Sequence, residues 1–311
     1  MWYDIYMYHF LINPASRGGK GADIWKKVES ELVRRGVSYE KTLSRSSEHI
    51  REYVGQLTTQ PDIRLVVLGG DGTLNEVVDS ISDFRNVRFG LIPTGSGDDF
   101  ARDLGMSKEP LVLLDTILRD EIVRRLDIGT LTYADDQTSR RFAVSSDIGF
   151  GAAVCEGVNR SKLKKVLGLV GLAPLSYLLI ALGIIFGTPR LSCDLILDDE
   201  KKIHLNSMML TATMIHRYEG GGFMFAPDAD ASDGRFDLCI AGNITVPKFL
   251  RALPKARKGT HFGIEGVDHY LAKKLEVYVA EPMWVHTDGE VKRKSDHVTF
   301  TCEQGVLNML D

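Results

Sequence analysis

The stretch 65–76, LVVLGGDGTLNE, runs four apolar residues into two glycines, a lone carboxylate, a third glycine and a threonine. Leu65 to Leu68 read as a buried strand. Leu74, Val77, Val78 and Ile81 then fall at i, i+3, i+4 and i+7 of a helix that starts at Thr73. A strand that ends in Gly-Gly-Asp-Gly and enters a helix brings backbone N–H groups and a helix N-terminus together, a combination that attracts phosphate. Glycine lets the backbone approach a ligand closely and take positive φ. The same residues also satisfy a plain capping box, with Thr73 at the N-cap and Glu76 at N3. Three glycines in four residues exceed what a cap needs, and Asp71 between them supplies a charge that a turn does not require.

Outward from this stretch, residues 1–127 alternate strand and helix. YMYHFLI, VSYEKTL, IRLVVL and VRFGLIP are strand-like, while ADIWKKVESELVRRG and SEHIREYVGQL carry apolar residues on one helical face. Two more helical stretches cover roughly 97 to 119. This rhythm predicts an α/β domain with a doubly wound, mainly parallel sheet. From 128 to 311 the rhythm changes. DIGTLTYADDQTSRRFAVSSDIGFG reads as two strands around a polar turn, and further strands are expected at 190–197, 201–216, 235–241, 273–287 and 296–302, with helical pieces near 150–187 and 246–258. Strands paired through short turns predict an antiparallel, β-sandwich-like second domain with helical insertions, its last residues returning to the first.

Composition narrows the partners. The 311 residues, 44% hydrophobic and 26% charged, suit two globular domains, and a formal net charge of −4 gives no support to nucleic acid. Cys155, Cys193, Cys239 and Cys302 form no Cys-x-x-Cys pair, which fits a reducing cytosol. MWYDIYMYHFLINP has no basic start or small-residue cleavage site and reads as a first strand. Residues 166–187, VLGLVGLAPLSYLLIALGIIFG, are uncharged and long enough to span a bilayer. Pro174, Gly168, Gly171 and Gly183 instead favour a buried or lipid-contacting helical hairpin, and the preceding RSKLKK would suit a membrane surface.

Two other glycine-rich turns follow strands: INPASRGGKG at 12–21 and IPTGSGDDF at 92–100. Ligands of open α/β sheets bind beyond the carboxyl ends of the strands, so three such turns on one edge predict a nucleotide pocket. No Gly-x-x-x-x-Gly-Lys-Ser/Thr loop occurs.

NPASRGGKG, GGDGTLNEV and IPTGSGDDFAR, in this order, resemble the diacylglycerol-kinase catalytic domain, particularly that of the bacterial soluble lipid kinases. DIGFG (147–151), FAPDADASDGRFDL (225–238) and HTDGE (286–290) extend the resemblance over nearly the whole chain. It implies transfer of the γ-phosphoryl group of ATP to a lipid hydroxyl. Asn13, Pro14, Ala15, Ser16, Arg17 and Thr42 would meet ATP. Gly70, Asp71, Gly72, Thr73 and Leu74, with Asn75 and Glu76, would form the phosphate loop, and Ser96 would complete the pocket. Asp288 and Glu290 are the implied candidates for accepting the substrate hydroxyl proton. Asp71, Asp99 and Asp127 would hold Mg²⁺ and its waters. The Asp233 side chain with the carbonyls of Asp230 and Arg235 resembles a second, structural Mg²⁺ site, against a plain Ser-Asp-Gly-Arg hairpin turn. Asp98 stands where the family has Asn, and Arg17 where glycine is common.

The implied partners are ATP, a membrane lipid and, as a homodimer, a second copy of the chain. The implied location is cytoplasmic, peripheral at the inner face of the cell membrane. NAD kinase and phosphofructokinase share a Gly-Gly-Asp-Gly turn, but GSGDD with DGE favours a lipid acceptor. A non-catalytic nucleotide- and lipid-binding regulator is the other alternative.

Overall fold

The computed structural model describes residues 6–160 and 181–310. The chain divides into two compact units. One comprises Met1–Ile128, Ala231–Gly234 and Glu303–Asp311, the other Gly129–Asp230 and Arg235–Cys302.

The first unit is wound from β1 (Tyr8–Ile12), α1 (Ser16–Arg35), β2 (Tyr39–Leu43), α2 (Ser47–Leu57), β3 (Ile63–Gly69), α3 (Asp71–Ser80), β4 (Val87–Pro93), α4 (Asp99–Asp103) and α5 (Pro110–Ile117). The strands lie in the order β2-β1-β3-β4, all parallel. All seven residues of β3 are buried, as a strand covered on both faces requires. Helix α1 puts Trp25, Val28 and Leu32 into a core with Phe10, Ile12, Val66, Leu68 and Leu114. Gly36, at φ 67°, ends it with a left-handed cap. The chain's end closes this sheet: Asn308 and Met309 pair in parallel with Arg88 and Phe89, and Leu310 enters the same core.

The second unit is antiparallel. It contains the second half of β5 (Arg124–Tyr133), then β6 (Ser139–Phe142), β7 (Ser145–Gly149), α6 (Phe150–Arg160), β8 (Leu191–Leu197), β9 (Lys201–Met214), β10 (Tyr218–Glu219), β11 (Phe223–Met224), β12 (Phe236–Gly242), α7 (Val246–Ala256), β13 (Val267–Ala272), β14 (Lys274–Thr287) and the larger part of β15 (Glu290–Met309). Its strand order is β13-β12-β9-β7-β14-β15, and β8 also pairs with β9 and β14. Helices α6 and α7 lie over this sheet through Phe150, Phe249 and Ala252, packed with Met214 and Cys239.

The α/β-then-β succession agrees with the periodicity of the sequence. Residues 127–151 hold three strands where two were expected. β13 was not anticipated, and β15 runs well beyond 296–302 in both directions. Residues 166–180 of the expected apolar hairpin lie outside the described residues, whereas 181–187 are helical. Among the described residues no helix is long and apolar enough to cross a membrane.

Asp127 ties the separate segments of the first unit. Its backbone N–H donates to Ala231 O at 2.8 Å, and its two carboxylate oxygens accept from Gly234 N and Gly305 N at 2.7 Å each. The residue is 1% exposed. Asp127→Ala leaves two amides without their acceptor, at about 1–3 kcal/mol each. Urea unfolding is expected to show a loss of about 2–6 kcal/mol, the same with and without Mg²⁺.

Candidate active site

Registers bring the three glycine-rich turns to one edge of the first unit. Ile12 lies opposite Leu68 and Gly69 opposite Pro93, so β1, β3 and β4 end together. Asn13 N donates to Leu68 O at 2.8 Å, and Thr94 N donates to Gly69 O at 2.9 Å. The strand order changes direction between β1 and β3, which is where such sheets hold ligands.

The first turn is bent by Arg17, Gly18 and Gly19, at φ 47°, 69° and 100°, so regular helix begins only after them. A left-handed Arg17 accounts for the family's glycine there, since a side chain in that region costs about 1–3 kcal/mol. Asn13 joins this turn to the next, its Nδ2 donating to Thr73 Oγ1 at 2.9 Å while its Oδ1 accepts from Ala15 N at 3.1 Å. Ser16 Oγ lies 2.7 Å from Thr94 Oγ1, tying the first turn to the third. Pro14 sits within the same turn. Thr42 is half-buried on edge strand β2, opposite Leu11.

The second turn does not form the expected capping box. Helix α3 starts at Asp71, with Gly70 extended at the N-cap and no side-chain cap. Thr73 N and Leu74 N both donate to Gly70 O, at 2.9 and 3.0 Å. Thr73 is buried and spends its hydroxyl on Asn13, while Glu76 is buried against Arg51 Nε at 2.7 Å. Tertiary partners thus claim both side chains that a local cap would use. The N–H groups of Asp71 and Gly72, in the first turn of α3, have no carbonyl of their own helix to meet. Leu74 and Asn75 are buried beneath them.

The third turn completes the cradle. A Cβ on Gly70 would lie 2.8 Å from Gly95 Cα, and one on Gly95 would lie 2.7 Å from Gly70 Cα. The two backbones pass each other with no room for a side chain. Asp98, left-handed at φ 48°, accepts from Gly95 N at 3.0 Å. Asn can make the same bond and also tolerates that backbone, so the departure at 98 preserves the turn's geometry. Burial raises the Asp98 pKa, while the Gly95 N–H and the charge of Arg17 oppose the rise. Ser96 is exposed at the tip.

The implied acidic network is only partly assembled. Asp71 Oδ2 accepts from Asp99 N at 3.2 Å, and Asp99 Oδ1 is paired with Arg102 Nη1 at 2.7 Å. Both carboxylates flank Gly97, where a Cβ would sit 3.1 Å from Asp71 Oδ2. Asp127 instead uses its oxygens on the two amides described above. Among the described residues no group of three or more His, Cys, Asp or Glu side chains is gathered to hold a metal directly. Mg²⁺ commonly keeps several waters and needs only one or two carboxylates, which the Asp71–Asp99 pair offers.

Asp230, Asp233 and Arg235 are exposed on the segment between β11 and β12. That segment is not a hairpin turn, because β11 pairs with β10 while β12 pairs with β9 and β13. One carboxylate and two carbonyls, the implied ligand set, would need no cluster of acids.

In the second unit, the turn after β14 places Asp288 and Glu290 half-exposed. Asp288 is left-handed at φ 48°, and its carboxylate accepts from the amides of Ala143, Val144 and Ser145 at 2.8, 2.8 and 2.9 Å. Residues that the sequence did not single out, Thr94, Asp147, Gly151 and His286, all lie inside motifs quoted from it. Only their neighbours in space show what they do.

The diacylglycerol kinase catalytic domain model matches residues 7–131, and that of the YegS C-terminal NAD kinase beta sandwich-like domain matches 144–311. YtlR of Bacillus subtilis is 27% identical over 288 residues, covering 91% of this chain and 92% of its own. The diacylglycerol kinase of the same organism is 28% identical over 291 residues, covering 90% and 88%. A solved structure from Bacillus anthracis str. Sterne has a TM-score of 0.76 at 18% identity, covering 100% and 96%. The NAD kinase of Archaeoglobus fulgidus in complex with ATP has a TM-score of 0.50 at 14% identity, covering 96% and 91%. The chain belongs to the bacterial diacylglycerol-kinase-like lipid kinase family.

Gly95→Ala drives a methyl group into Gly70 and is expected to cost about 1–3 kcal/mol. Asp98→Asn keeps the acceptor for Gly95 N. Because the folded state holds the Asp98 proton more tightly than the unfolded chain, ionisation at neutral pH opposes folding. Asp98→Asn should therefore match or exceed wild type in urea at pH 7, the gain shrinking as the pH falls through the carboxylate range.

Proposed function

We propose that this kinase transfers the γ-phosphoryl group of MgATP to the hydroxyl of a membrane lipid, diacylglycerol or a related one. The observation that carries the nucleotide half is the backbone cradle in which Gly70 and Gly95 meet below the start of α3. Such a cradle offers N–H donors and a helix N-terminus to phosphate oxygens. Asn13, Pro14, Ala15, Ser16, Arg17 and Thr42 bind the rest of the nucleotide, with Gly70, Asp71, Gly72, Thr73 and Ser96 around the phosphates. Leu74, Asn75 and Glu76 support the loop from within.

Mg²⁺ neutralises charge on the phosphates when bound. Asp71 and Asp99 hold its waters, and Asp127 contributes by fixing the loops that carry Gly234 and Gly305. Asp233 with the carbonyls of Asp230 and Arg235 takes a second, structural Mg²⁺. Asp288 accepts the proton of the attacking hydroxyl, and Glu290 is the neighbouring acid on the same turn. Phosphoryl transfer depends chiefly on alignment and charge stabilisation, and three amide donors aligned on Asp288 supply the first.

The lipid acceptor is supported by the relatives named diacylglycerol kinases; a fold shared with an NAD kinase does not choose between acceptors. Apolar Leu182 and Phe186 are exposed on the helical residues 181–187. With the basic RSKLKK they support peripheral contact with an anionic membrane surface at the cytoplasmic face.

Asp288→Asn, with an unchanged circular-dichroism spectrum, is expected to lose ~10²–10⁴-fold in ATP-dependent lipid phosphorylation. Turnover near wild type would remove Asp288 from the mechanism.

A further inference from the structure

We propose that His286, set between the buried Asp147 and the half-buried Glu219, is the positioning residue that holds the Asp288-Gly289-Glu290 turn in its working geometry. This rests on Asp288 acting as the base.

Two ionisable groups stand side by side inside the second unit. Asp147 on β7 lies opposite His286 on β14, and neither has any exposed surface. Their surroundings are apolar: Ala212 is opposite Asp147 on β9, and Phe150, Met214 and Cys239 belong to the same buried cluster. Burying charge in such a layer is unfavourable unless partners compensate it. The partners are specific. Asp147 Oδ2 accepts from Ala152 N at 2.7 Å, holding the start of α6. A Cβ on Gly151 would lie 2.4 Å from the same oxygen, so glycine makes room for the carboxylate. His286 Nε2 lies 2.8 Å from Glu219 Oε1.

The other ring nitrogen reaches the turn. Gly289 N donates to His286 Nδ1 at 3.1 Å. An accepting Nδ1 assigns the proton of the neutral ring to Nε2, on the side of Glu219. Ser146 Oγ donates to His286 O, fixing the strand from behind. The turn is therefore gripped twice, at Asp288 by the amides of 143–145 and at Gly289 by the imidazole.

Protonation at Nδ1 would replace an acceptor with a donor and break the second grip. Burial favours the neutral ring, but the carboxylates of Glu219, Asp147 and Asp288 facing it raise its pKa above the ordinary value. Burial likewise pushes Asp147 up to about 7, with His286 opposing.

The test compares His286→Ala, His286→Asn and His286→Gln on diacylglycerol-containing vesicles with MgATP. Asn places its oxygen near the Nδ1 position, whereas Gln reaches toward Nε2. Ala and Gln are expected to lower kcat about 10–100-fold with KM for ATP within about 2-fold of wild type, and Asn to recover most of it. Wild-type kcat in Ala, or an Asn variant as impaired as Ala and Gln, would overturn the proposal.

Hydrogen exchange at the Gly289 amide needs no turnover. It should quicken at least about 10-fold in His286→Ala and not in His286→Asn, and equal exchange in all would overturn the proposal. If wild type phosphorylates no vesicle lipid, the lipid-kinase assignment fails while exchange still decides the role of His286. Should His286→Ala not fold, Glu219→Gln replaces it. Loss of that charge lowers the His286 pKa, so the acid limb of the kcat profile should move to lower pH. An unmoved limb with wild-type kcat would overturn the proposal.

Discussion

Gly70 and Gly95 come so close that neither has space for a single carbon beyond its backbone. Much of the first unit follows from that approach. It requires β3 and β4 to end level, which their register provides, and it requires Asp98 to turn the third loop back on itself. It also leaves α3 to begin at Asp71, directly after Gly70. Asn13 then locks the β1 turn onto α3 through Thr73. Donors that belong to the backbone are pre-aligned and lose little freedom when an anion arrives, which is the physical advantage of this kind of cradle.

The second unit fixes one of its carboxylates in a comparable way. Asp288 is placed by three consecutive backbone amides. A carboxylate on a flexible surface turn would sample many positions; one held at both oxygens samples few. Behind it, an apolar sheet face carries Asp147 and His286, an arrangement that packing alone would not favour.

Legibility in the sequence followed the range of the interactions involved. The strand-helix alternation up to about 127 and the later antiparallel strands were readable because each depends on local periodicity. The glycine-rich turns were readable as a set, since several glycines at successive strand ends exceed the needs of turns. Thr73 misled, because a capping box is a local pattern and Asn13, sixty positions away, took its hydroxyl. Asp127 looked like one of a trio of metal-side acids; its amide partners lie 107 and 178 positions along the chain. β13 was hidden by exposed Asp268 and His269, which leave VDHYLA without clean alternation. His286 gave no signal of its own, since one histidine before a turn is ordinary.

The central claim is that a lipid hydroxyl receives the phosphoryl group. Incubation of the protein with γ-labelled ATP and Mg²⁺, against a total lipid extract and separately against NAD, tests it directly by thin-layer separation of the products. Label migrating with a phosphorylated lipid, and none in NADP, is the result this account predicts. Label in NADP, or in neither product despite ATP binding, would contradict it.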